Sequence, residues 1–183
     1  FKGYGGFPAS ACVSVNEVIV HGIPSAEKKL QEGDIVSEDA GAIYEGWYSD
    51  MARTYAVGKI SPEAERLVKT TEESFFEGLK YCVAGNYLSD VSHAIQVHLE
   101  SNGFGVIRDY VGHGLGREMH EQPAVPNYGR PGRGPKLKKG MVLAIEPMVS
   151  AGTYEVDVLE DEWTAVTRDG SPAAHYENTV VIT

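Results

Sequence analysis

The chain has 183 residues, of which 42% are hydrophobic, and it carries a formal net charge of −10. This length and apolar content are sufficient for one buried core, so we expect residues 1–183 to form a single domain. The acidic balance argues against a surface built to bind DNA or an anionic membrane, which both require a positive field, and no apolar run approaches the roughly 18 residues that cross a bilayer.

The first predicted strand runs from Cys12 to Val20, which is rich in alternating β-branched residues. The segment His21 to Pro24 then ends it, so His21 is expected at a strand end. Cys82 is the only other cysteine. A two-cysteine chain of this size lacks the dense pattern of disulfide-rich secreted domains, so we expect free thiols and a cytoplasmic protein.

The segment from Asp39 to Asp50 predicts two strands folded about Glu45-Gly46, with a carboxylate near each outer end. A turn centred on Glu45-Gly46 would place Asp50 opposite Gly41, whereas a turn centred one residue earlier would place Asp50 opposite Asp39. In both registers the two carboxylates share one face of the sheet, because side chains alternate with a period of two. Two like charges this close repel each other unless a proton or a cation lies between them.

Two amphipathic helices are predicted after this hairpin. The first begins at Ser61-Pro62-Glu63, which combines a capping hydroxyl, proline at the first helical position and an acid in the first turn. The second begins near Ser89 or Asp90 and ends at Asn102-Gly103, a sequence that favours a left-handed cap. A strand is then expected over Val106 to Tyr110.

The segment from Gln122 to Gly140 is rich in proline and glycine and is predicted to be a loop. Its residues 130–139 are strongly basic, which indicates either a solvated surface or a contact with an anionic partner such as ribosomal RNA. Further strands are expected over Met141 to Val149 and, as a closing hairpin, over Trp163 to Arg168 and Tyr176 to Ile182. A strand pair, two helices and further antiparallel strands indicate an α+β fold.

Five polar residues lie in apolar or glycine-rich strand contexts. They are Asp39, Asp50, His113, Glu146 and Glu177. Four carboxylates and one imidazole without cysteine suit a pair of Mn, Fe, Co or Zn ions better than a structural zinc site. Each residue taken alone is also compatible with a strand-end acid, an ion pair or a hydrogen-bonded core histidine, although a buried charge without a partner is costly. The glycines on both sides of His113 allow the backbone to approach its neighbours closely.

Five segments, in order along nearly the whole chain, resemble the type I methionine aminopeptidases. They are Asn16 to Pro24 (NEVIVHGIP), the Asp39 to Asp50 step, Gly112 to Glu121 (GHGLGREMHE), Ile145 to Met148 (IEPM) and Tyr176 to Thr179 (YENT). Several motifs in a fixed order are far more specific than one short motif. The resemblance implies a pita-bread fold, which is a curved antiparallel sheet covered by helices, with a dinuclear metal centre. That family also has two helices ahead of the Gly3-Tyr4 segment. We therefore expect an amino-terminally truncated sequence with an uncovered apolar face.

The resemblance implies a role for each matching metal ligand. Asp39 would be a terminal ligand of one ion, and His113 and Glu146 would bind the other. Asp50 and Glu177 would bridge the two ions, and a water between the ions would attack the peptide bond.

The resemblance also implies residues that contact the substrate. Glu146 would transfer a proton, His120 would bind the scissile carbonyl oxygen, and His21 would contact the peptide nitrogen. The residues implied to line the methionine pocket are Tyr4, Phe7, Cys12, Met119 and Trp163. Phe7 and Met119 replace aromatic residues that are common there, and the apolar set is equally compatible with ordinary core packing.

The function implied by the resemblance is metal-dependent removal of the initiator methionine from nascent proteins and peptides. One alternative is an Xaa-Pro aminopeptidase or prolidase-like peptidase of the same fold, and the context of His21 to Pro24 and Trp163 favours methionine over it. The other alternative is a non-catalytic binding module on this fold, which the complete ligand set disfavours. The expected partners are peptide amino termini and, through residues 130–139, the ribosome. A complete protein is expected to be a monomer.

Overall fold

A computed structural model describes residues 1–183, which form two α-helices and thirteen strands. The helices are α1 (Pro62–Leu79) and α2 (Leu88–Ser101). The strands are β1 (Cys12–Val15), β2 (Val18–Val20), β3 (Ile35–Tyr44), β4 (Trp47–Ala56), β5 (Gly105–Val106), β6 (Gly112–Gly114), β7 (Glu121–Val125), β8 (Val142–Ile145), β9 (Met148–Ser150), β10 (Val156–Val158), β11 (Ala165–Thr167), β12 (Ala173–His175) and β13 (Glu177–Val181). A single 3-10 turn, Tyr4–Gly6, precedes β1.

The main sheet has seven antiparallel strands in the order β1-β3-β4-β13-β8-β6-β7. Two smaller sheets, in the orders β10-β11-β2 and β12-β9-β5, lie beside it. The two helices share one apolar core with the sheet, in which Leu67 of α1 and Ile95 of α2 are fully buried together with Leu143 of β8. This architecture confirms the predicted α+β fold.

Both helices begin where the sequence predicts. Ser61 caps α1 by accepting a hydrogen bond from the Ala64 backbone N–H at 3.1 Å, with Pro62 at the first helical position. α2 begins one residue before Ser89 and is followed by Gly103, whose φ is 82°. The local signals are sufficient here, because a cap satisfies backbone groups within its own turn.

The hairpin of β3 and β4 adopts the register that is centred on Glu45-Gly46. Asp50 pairs with Gly41, and Asp39 pairs with Ala52. Both turn residues have positive φ, 50° and 78°, as expected of a two-residue turn whose twist matches its strands. The alternative register, with Asp39 opposite Asp50, is wrong.

Two predicted strands are each divided in the structure. The predicted strand from Cys12 to Val20 becomes β1 and β2, because Asn16 adopts a φ of 55° and its side chain bonds Asp34 Oδ1 and the Ile35 backbone N–H at 2.9 and 3.0 Å. The predicted strand over Met141 to Val149 becomes β8 and β9, which belong to different sheets. Glu146-Pro147 separates them, and proline cannot donate to a strand ladder.

Three other strand predictions are wrong in extent or pairing. The strand expected over Val106 to Tyr110 is reduced to β5, and the segment predicted as a loop from Gln122 begins with β7, an edge strand in which proline is tolerated. The closing hairpin does not form, since β11 pairs with β10 and β2 whereas β13 pairs with β4 and β8. Pairing between strands distant in sequence decides the first and third cases, whereas β7 pairs with β6, its neighbour in the chain.

The β3–β4 hairpin exposes an apolar surface on the face that carries Tyr44, Trp47, Met51 and Tyr55, which are 46 to 77% exposed. A contiguous apolar surface of this kind is often covered by another segment or partner, and which segment covers this one stays a prediction. Cys12 and Cys82 are both free thiols, as predicted. Neither helix of this structure combines the length and the hydropathy needed to cross a membrane.

Candidate active site

Five neighbouring strands of the main sheet each bring one candidate metal ligand to the same face. In sheet order they are Asp39 on β3, Asp50 on β4, Glu177 on β13, Glu146 directly after β8, and His113 on β6. Asp39 and Glu177 both lie opposite Ala52 of β4, one from each side. The small side chain of Ala52 therefore leaves room between the carboxylates.

The four carboxylates are held in an environment that disfavours their charged forms. Burial and the neighbouring Asp50 and Glu146 raise the pKa of Asp39 to about 9, and burial raises the pKa of Glu146 to about 8. Burial also raises the pKa values of Asp50 and Glu177, the latter further through the other carboxylates. Asp39 Oδ1 is buried without any hydrogen-bond partner. The cluster therefore requires protons or cations to offset its charge.

The orientation of His113 is suitable for binding a cation. Its Nδ1 lies 2.9 Å from the carbonyl oxygen of Gly114, which can only accept a hydrogen bond. In the neutral ring, Nδ1 must then carry the proton, and Nε2 presents a lone pair. Nε2 lies 3.5 Å from Glu146 Oε1, and a metal ion or a proton shared by the two atoms would offset the repulsion between their electron pairs.

The ligand atoms are also close enough to bind a common ion. Asp50, His113 and Glu177 have potential ligand atoms that all lie within 4.8 Å of one another, and Glu146 and Glu177 form a second such group with His175. Carboxylate and imidazole ligands suit Mn, Fe, Co or Zn ions. The residues present therefore fit a site for divalent cations, although Asp39 belongs to neither group, and the number and identity of the ions stay a prediction.

The glycines flanking His113 have the role that the sequence suggested. A Cβ atom on Gly112 would overlap the carbonyl oxygen of Ala144, and one on Gly114 would overlap that of Gln122. β6 is thereby able to lie between β7 and β8 at a distance that presents His113 to the cluster.

A single cavity of about 200 Å³ joins the candidate ligands to the other predicted site residues. All twelve residues proposed from the sequence line it. The further lining residues are Phe1, Val20, Tyr110, Val111, Met148 and His175. The structure thus brings the whole predicted set together, although the role of each residue remains a prediction.

His120 stands at the mouth of this cavity in contact with Tyr4. The Tyr4 hydroxyl lies 2.7 Å from His120 Nδ1, and the ring of His120 lies 4.1 Å from that of His113 between centroids. Burial, and next the nearby His113 and His21, lower the pKa of His120 to about 4. His120 is therefore neutral near pH 7 and, when Tyr4 donates to Nδ1, it presents an Nε2–H group.

His21 and the apolar residues line the rest of the cavity. His21 follows β2 with a φ of 59°, and its ring contacts Tyr110 edge-on at 5.2 Å between centroids. Phe7 and Trp163 pack edge to face at 5.2 Å. Cys12 is the β1 partner of Asp39, so an apolar wall and the acidic cluster meet at one strand pair.

Sequence reasoning missed two residues of this site, His175 and Arg53. His175 is 2% exposed, and its Nε2 lies 3.4 Å from Glu146 Oε2. Its spacing of two residues from Glu177 was a usable signal, since residues two apart in an extended chain point to the same side, although β12 and β13 belong to different sheets. Arg53 donates to the carbonyl oxygens of Ala52 and Glu177 at 2.7 and 2.5 Å and stacks on the Tyr176 ring. The contact between Arg53 and Glu177 becomes visible only from the pairing of β4 with β13.

Comparison with known proteins gives consistent matches along the chain. Residues 2–183 match the model of metallopeptidase family M24. The methionine aminopeptidase of Clostridium acetobutylicum is 65% identical over 182 residues, which cover all of this chain and 73% of that relative. The crystal structure of methionine aminopeptidase from Thermotoga maritima has a TM-score of 0.99 at 58% identity, over all of this chain and 74% of that one.

A prolidase is a more distant structural neighbour. The prolidase of Pyrococcus horikoshii has a TM-score of 0.74 at 24% identity, over 96% of this chain and 45% of that one. This likeness shows a common fold, the pita-bread fold of family M24. The sequence identity to the methionine aminopeptidases is much higher than that to the prolidase, and the structural superposition is nearly complete. The present sequence is therefore grouped with the methionine aminopeptidases. The chain therefore belongs to metallopeptidase family M24 and, within it, to the methionine aminopeptidases.

Proposed function

We propose that this chain removes the amino-terminal methionine from proteins and peptides, with two divalent cations held by the five-residue cluster. The observation that carries the proposal is the convergence of three buried carboxylates, the half-buried carboxylate of Asp39 and the imidazole of His113 on one cavity. Membership of the methionine aminopeptidases supports the choice of substrate.

The order of the strands supports a division of labour among the ligands. Glu177 on β13 is in the middle of the five ligand strands, and Asp50 on the adjacent β4 lies between it and Asp39, so we propose that Asp50 and Glu177 would bridge two ions. Asp39 on β3 would be the terminal ligand of one ion, whereas His113 and Glu146 on the other side would hold the second. Divalent cations bound there would supply Lewis acidity that activates water and polarises the scissile carbonyl group.

Glu146 is suited to move a proton during the reaction. Burial raises its pKa to about 8, and its two carboxylate oxygens face two imidazoles at 3.5 and 3.4 Å. A carboxylate held beside the reacting groups can accept a proton from water and release it to a departing amine. A bound cation would lower this pKa while leaving the position of Glu146 beside the reacting groups.

His120 and His21 would contact the substrate backbone. A neutral His120, held through Nδ1 by Tyr4, would donate its Nε2–H to the carbonyl oxygen as negative charge develops there. His21 lies farther along the same cavity beside Trp163, with ring centroids 6.3 Å apart, and would contact the peptide nitrogen.

The methionine side chain would occupy the apolar part of the cavity. Phe7, Cys12 and Met119 are each at most 6% exposed, and Tyr4 and Trp163 complete the wall. Burial, followed by the charges of Asp39 and Asp50, raises the pKa of Cys12, so its thiol stays neutral. An unbranched thioether packs well against such aromatic and sulfur-containing surfaces.

The proposal is tested with peptides that separate it from a prolidase-like activity. We expect hydrolysis of Met-Ala-Ser after addition of Mn²⁺, Co²⁺, Fe²⁺ or Zn²⁺, and no comparable cleavage of an Xaa-Pro peptide. EDTA should abolish the activity. Preferential cleavage of Xaa-Pro would favour the prolidase-like alternative, and failure to bind or respond to any metal would favour a non-catalytic module.

We further propose a cytoplasmic protein whose basic segment 130–139 contacts the ribosome. In support, Arg130, Arg133, Lys136, Lys138 and Lys139 are all exposed while Leu137 anchors the segment in the core. Replacing Arg133, Lys138 and Lys139 by Glu should reduce cosedimentation with ribosomes and leave Met-Ala-Ser hydrolysis unchanged. Equal cosedimentation of this variant and the wild type would exclude the segment as the contact.

A further inference from the structure

We propose that His175 is a positioning residue that fixes the carboxylate of Glu146 by donating a hydrogen bond to Oε2. The two groups lie 3.4 Å apart, and His175 Nε2 has no hydrogen-bond partner within the chain. His175 is 2% exposed and lines the cavity. A buried polar nitrogen aimed at a carboxylate is costly unless the two interact.

The backbone holds His175 against the segment that carries Glu146. β12 pairs with β9 so that His175 lies opposite Met148, and the Tyr176 N–H donates to the Pro147 carbonyl oxygen at 3.2 Å. The backbone N–H of His175 donates a hydrogen bond to Thr54 Oγ1 at 2.8 Å. These contacts fix His175 relative to the break between β8 and β9, where Glu146 lies.

The tautomers of the two histidines distinguish the two oxygens of Glu146. His113 donates through Nδ1 and presents a lone pair at Nε2 towards Oε1. A second lone pair facing Oε2 would repel that oxygen as well, so a neutral His175 carries its proton on Nε2. Oε2 would then be held by His175, and Oε1 would remain free on the side of His113 to bind a cation.

This inference depends on the proposed metal centre and deepens it. In metal sites, hydrogen bonds to a ligand orient it, and their loss commonly lowers metal affinity or activity by about 10- to 100-fold. An alternative geometry is available, because His175 also lies within 4.8 Å of Glu146 and Glu177 as a potential ligand. The experiment must therefore separate a hydrogen-bond donor from a metal ligand.

Two substitutions make this separation. His175→Leu retains an apolar side chain of comparable size but has no donor, whereas His175→Gln places an amide N–H near the position of Nε2. His93→Leu is the matched control, since His93 is bonded through Nδ1 to the Gly129 carbonyl oxygen and does not line the cavity. Co²⁺ affinity by calorimetry, the Co²⁺ absorption spectrum, kcat and KM are measured for each.

We expect His175→Leu to lose about 10- to 100-fold in affinity for one Co²⁺ ion, with a larger fall in kcat than change in KM. His175→Gln should recover most of the loss with an unchanged spectrum, and His93→Leu should match the wild type. Wild-type behaviour of His175→Leu would overturn the inference. A His175→Gln protein that loses as much as His175→Leu and has an altered spectrum would also overturn it, in favour of direct ligation.

A measurement on the wild type covers the case in which a variant fails to fold. In the Zn²⁺-loaded protein with ¹⁵N-labelled histidine, a long-range ¹H–¹⁵N spectrum should show a proton on His175 Nε2. An unprotonated or metal-bound Nε2 would overturn the inference. Absence of metal binding and of peptide cleavage by the wild type would overturn the proposed function itself, so the two failures are distinguishable.

Discussion

Asp50 lies directly opposite Gly41 in the β3–β4 hairpin, so Asp39, two residues before Gly41, is the diagonal neighbour of Asp50 on the same face. Diagonal residues on one face have Cβ atoms roughly 7 to 8 Å apart, whereas directly opposed residues are roughly 5 Å apart. The wider spacing leaves room for ions between the two carboxylates. It also explains how Asp39 and Asp50 can have different roles although they stand on one hairpin.

Replacing Asp39 by Asn should remove a charged ligand from one end of the cluster. We expect weaker binding of one ion and a fall in kcat of at least about 100-fold, because the amide keeps the shape but loses the charge. Metal content by mass spectrometry and hydrolysis of Met-Ala-Ser measure the two effects. Glu38→Gln, at the adjacent exposed position on the other face of β3, is the control. Full activity with normal metal content in Asp39→Asn would contradict the assignment.

The stability of the metal-free chain should decrease as the pH rises. The pKa values of Asp39 and Glu146 are raised to about 9 and about 8 in the folded chain, whereas unfolded carboxyls titrate near 4. The folded state therefore binds more protons between these values, and its stabilisation by them is lost as the pH increases from about 4 to 9.

We expect the Tm in EDTA to be at least about 3 °C lower at pH 8 than at pH 6. A divalent cation should reverse this trend, since it binds the deprotonated carboxylates. Scanning calorimetry with EDTA or with Mn²⁺ at both pH values tests the expectation. A Tm in EDTA that is constant or rises over this range would show that the cluster does not take up protons.

The contact between Tyr4 and His120 should contribute to turnover. Tyr4→Phe removes the hydroxyl that lies 2.7 Å from His120 Nδ1 but keeps the stacked ring. We expect a fall in kcat of about 10-fold, and of about 100-fold or more for His120→Ala, because the second variant also removes the donor to the carbonyl oxygen. Steady-state kinetics with Met-Ala-Ser measure both. An effect on KM alone would assign Tyr4 to binding of the methionine side chain.

Gly112→Ala should disturb the metal centre through the backbone. The added Cβ would overlap the Ala144 carbonyl oxygen, so β6 must move away from β8 and carry His113 with it. We expect a loss of about 2 kcal/mol or more in unfolding free energy, together with weaker metal binding. Urea unfolding measures the unfolding free energy, and calorimetry with Co²⁺ measures the metal affinity.

Gly116→Ala in the same segment is the matched control for Gly112→Ala. There the added Cβ would approach only the end of the Glu121 side chain, at 3.2 Å. Its effect on both measurements should be smaller, because the Glu121 carboxylate needs to shift by only a few tenths of an ångström and can keep its hydrogen bonds to the Arg117 and Glu118 N–H groups. Equal effects of the two substitutions would show that close backbone approach at Gly112 is not what positions His113.

The helices and the ligands were predictable because their signals are local or belong to recognisable motifs. The cap at Ser61 and the proline at position 62 identify the start of α1 within a single turn. The five candidate ligands were proposed from residue type, strand context and a resemblance, without knowledge of which strands pair. The hairpin of β3 and β4 was predictable as well, although its register was not.

The pairing of distant strands was not predictable from the sequence. Residues 163–182 have the pattern of a hairpin, yet β11 and β13 enter different sheets because each finds a better partner far away in the chain. For the same reason His175 was missed. Its backbone is fixed by β9 and Thr54, and its imidazole meets Glu146, 29 positions earlier, only once β12 is in place.

The sequence by itself therefore determined which residue types could form an acidic metal site, where the helices begin, and which family the motifs resemble. The tertiary structure alone decided the diagonal register of Asp39 and Asp50, the order of the five ligand strands and the orientation of His113 and Glu146. The physical reason is that chemistry and capping depend on neighbours within a few residues. Register and side-chain orientation instead depend on long-range strand pairing and on which buried polar atoms that pairing leaves without a partner.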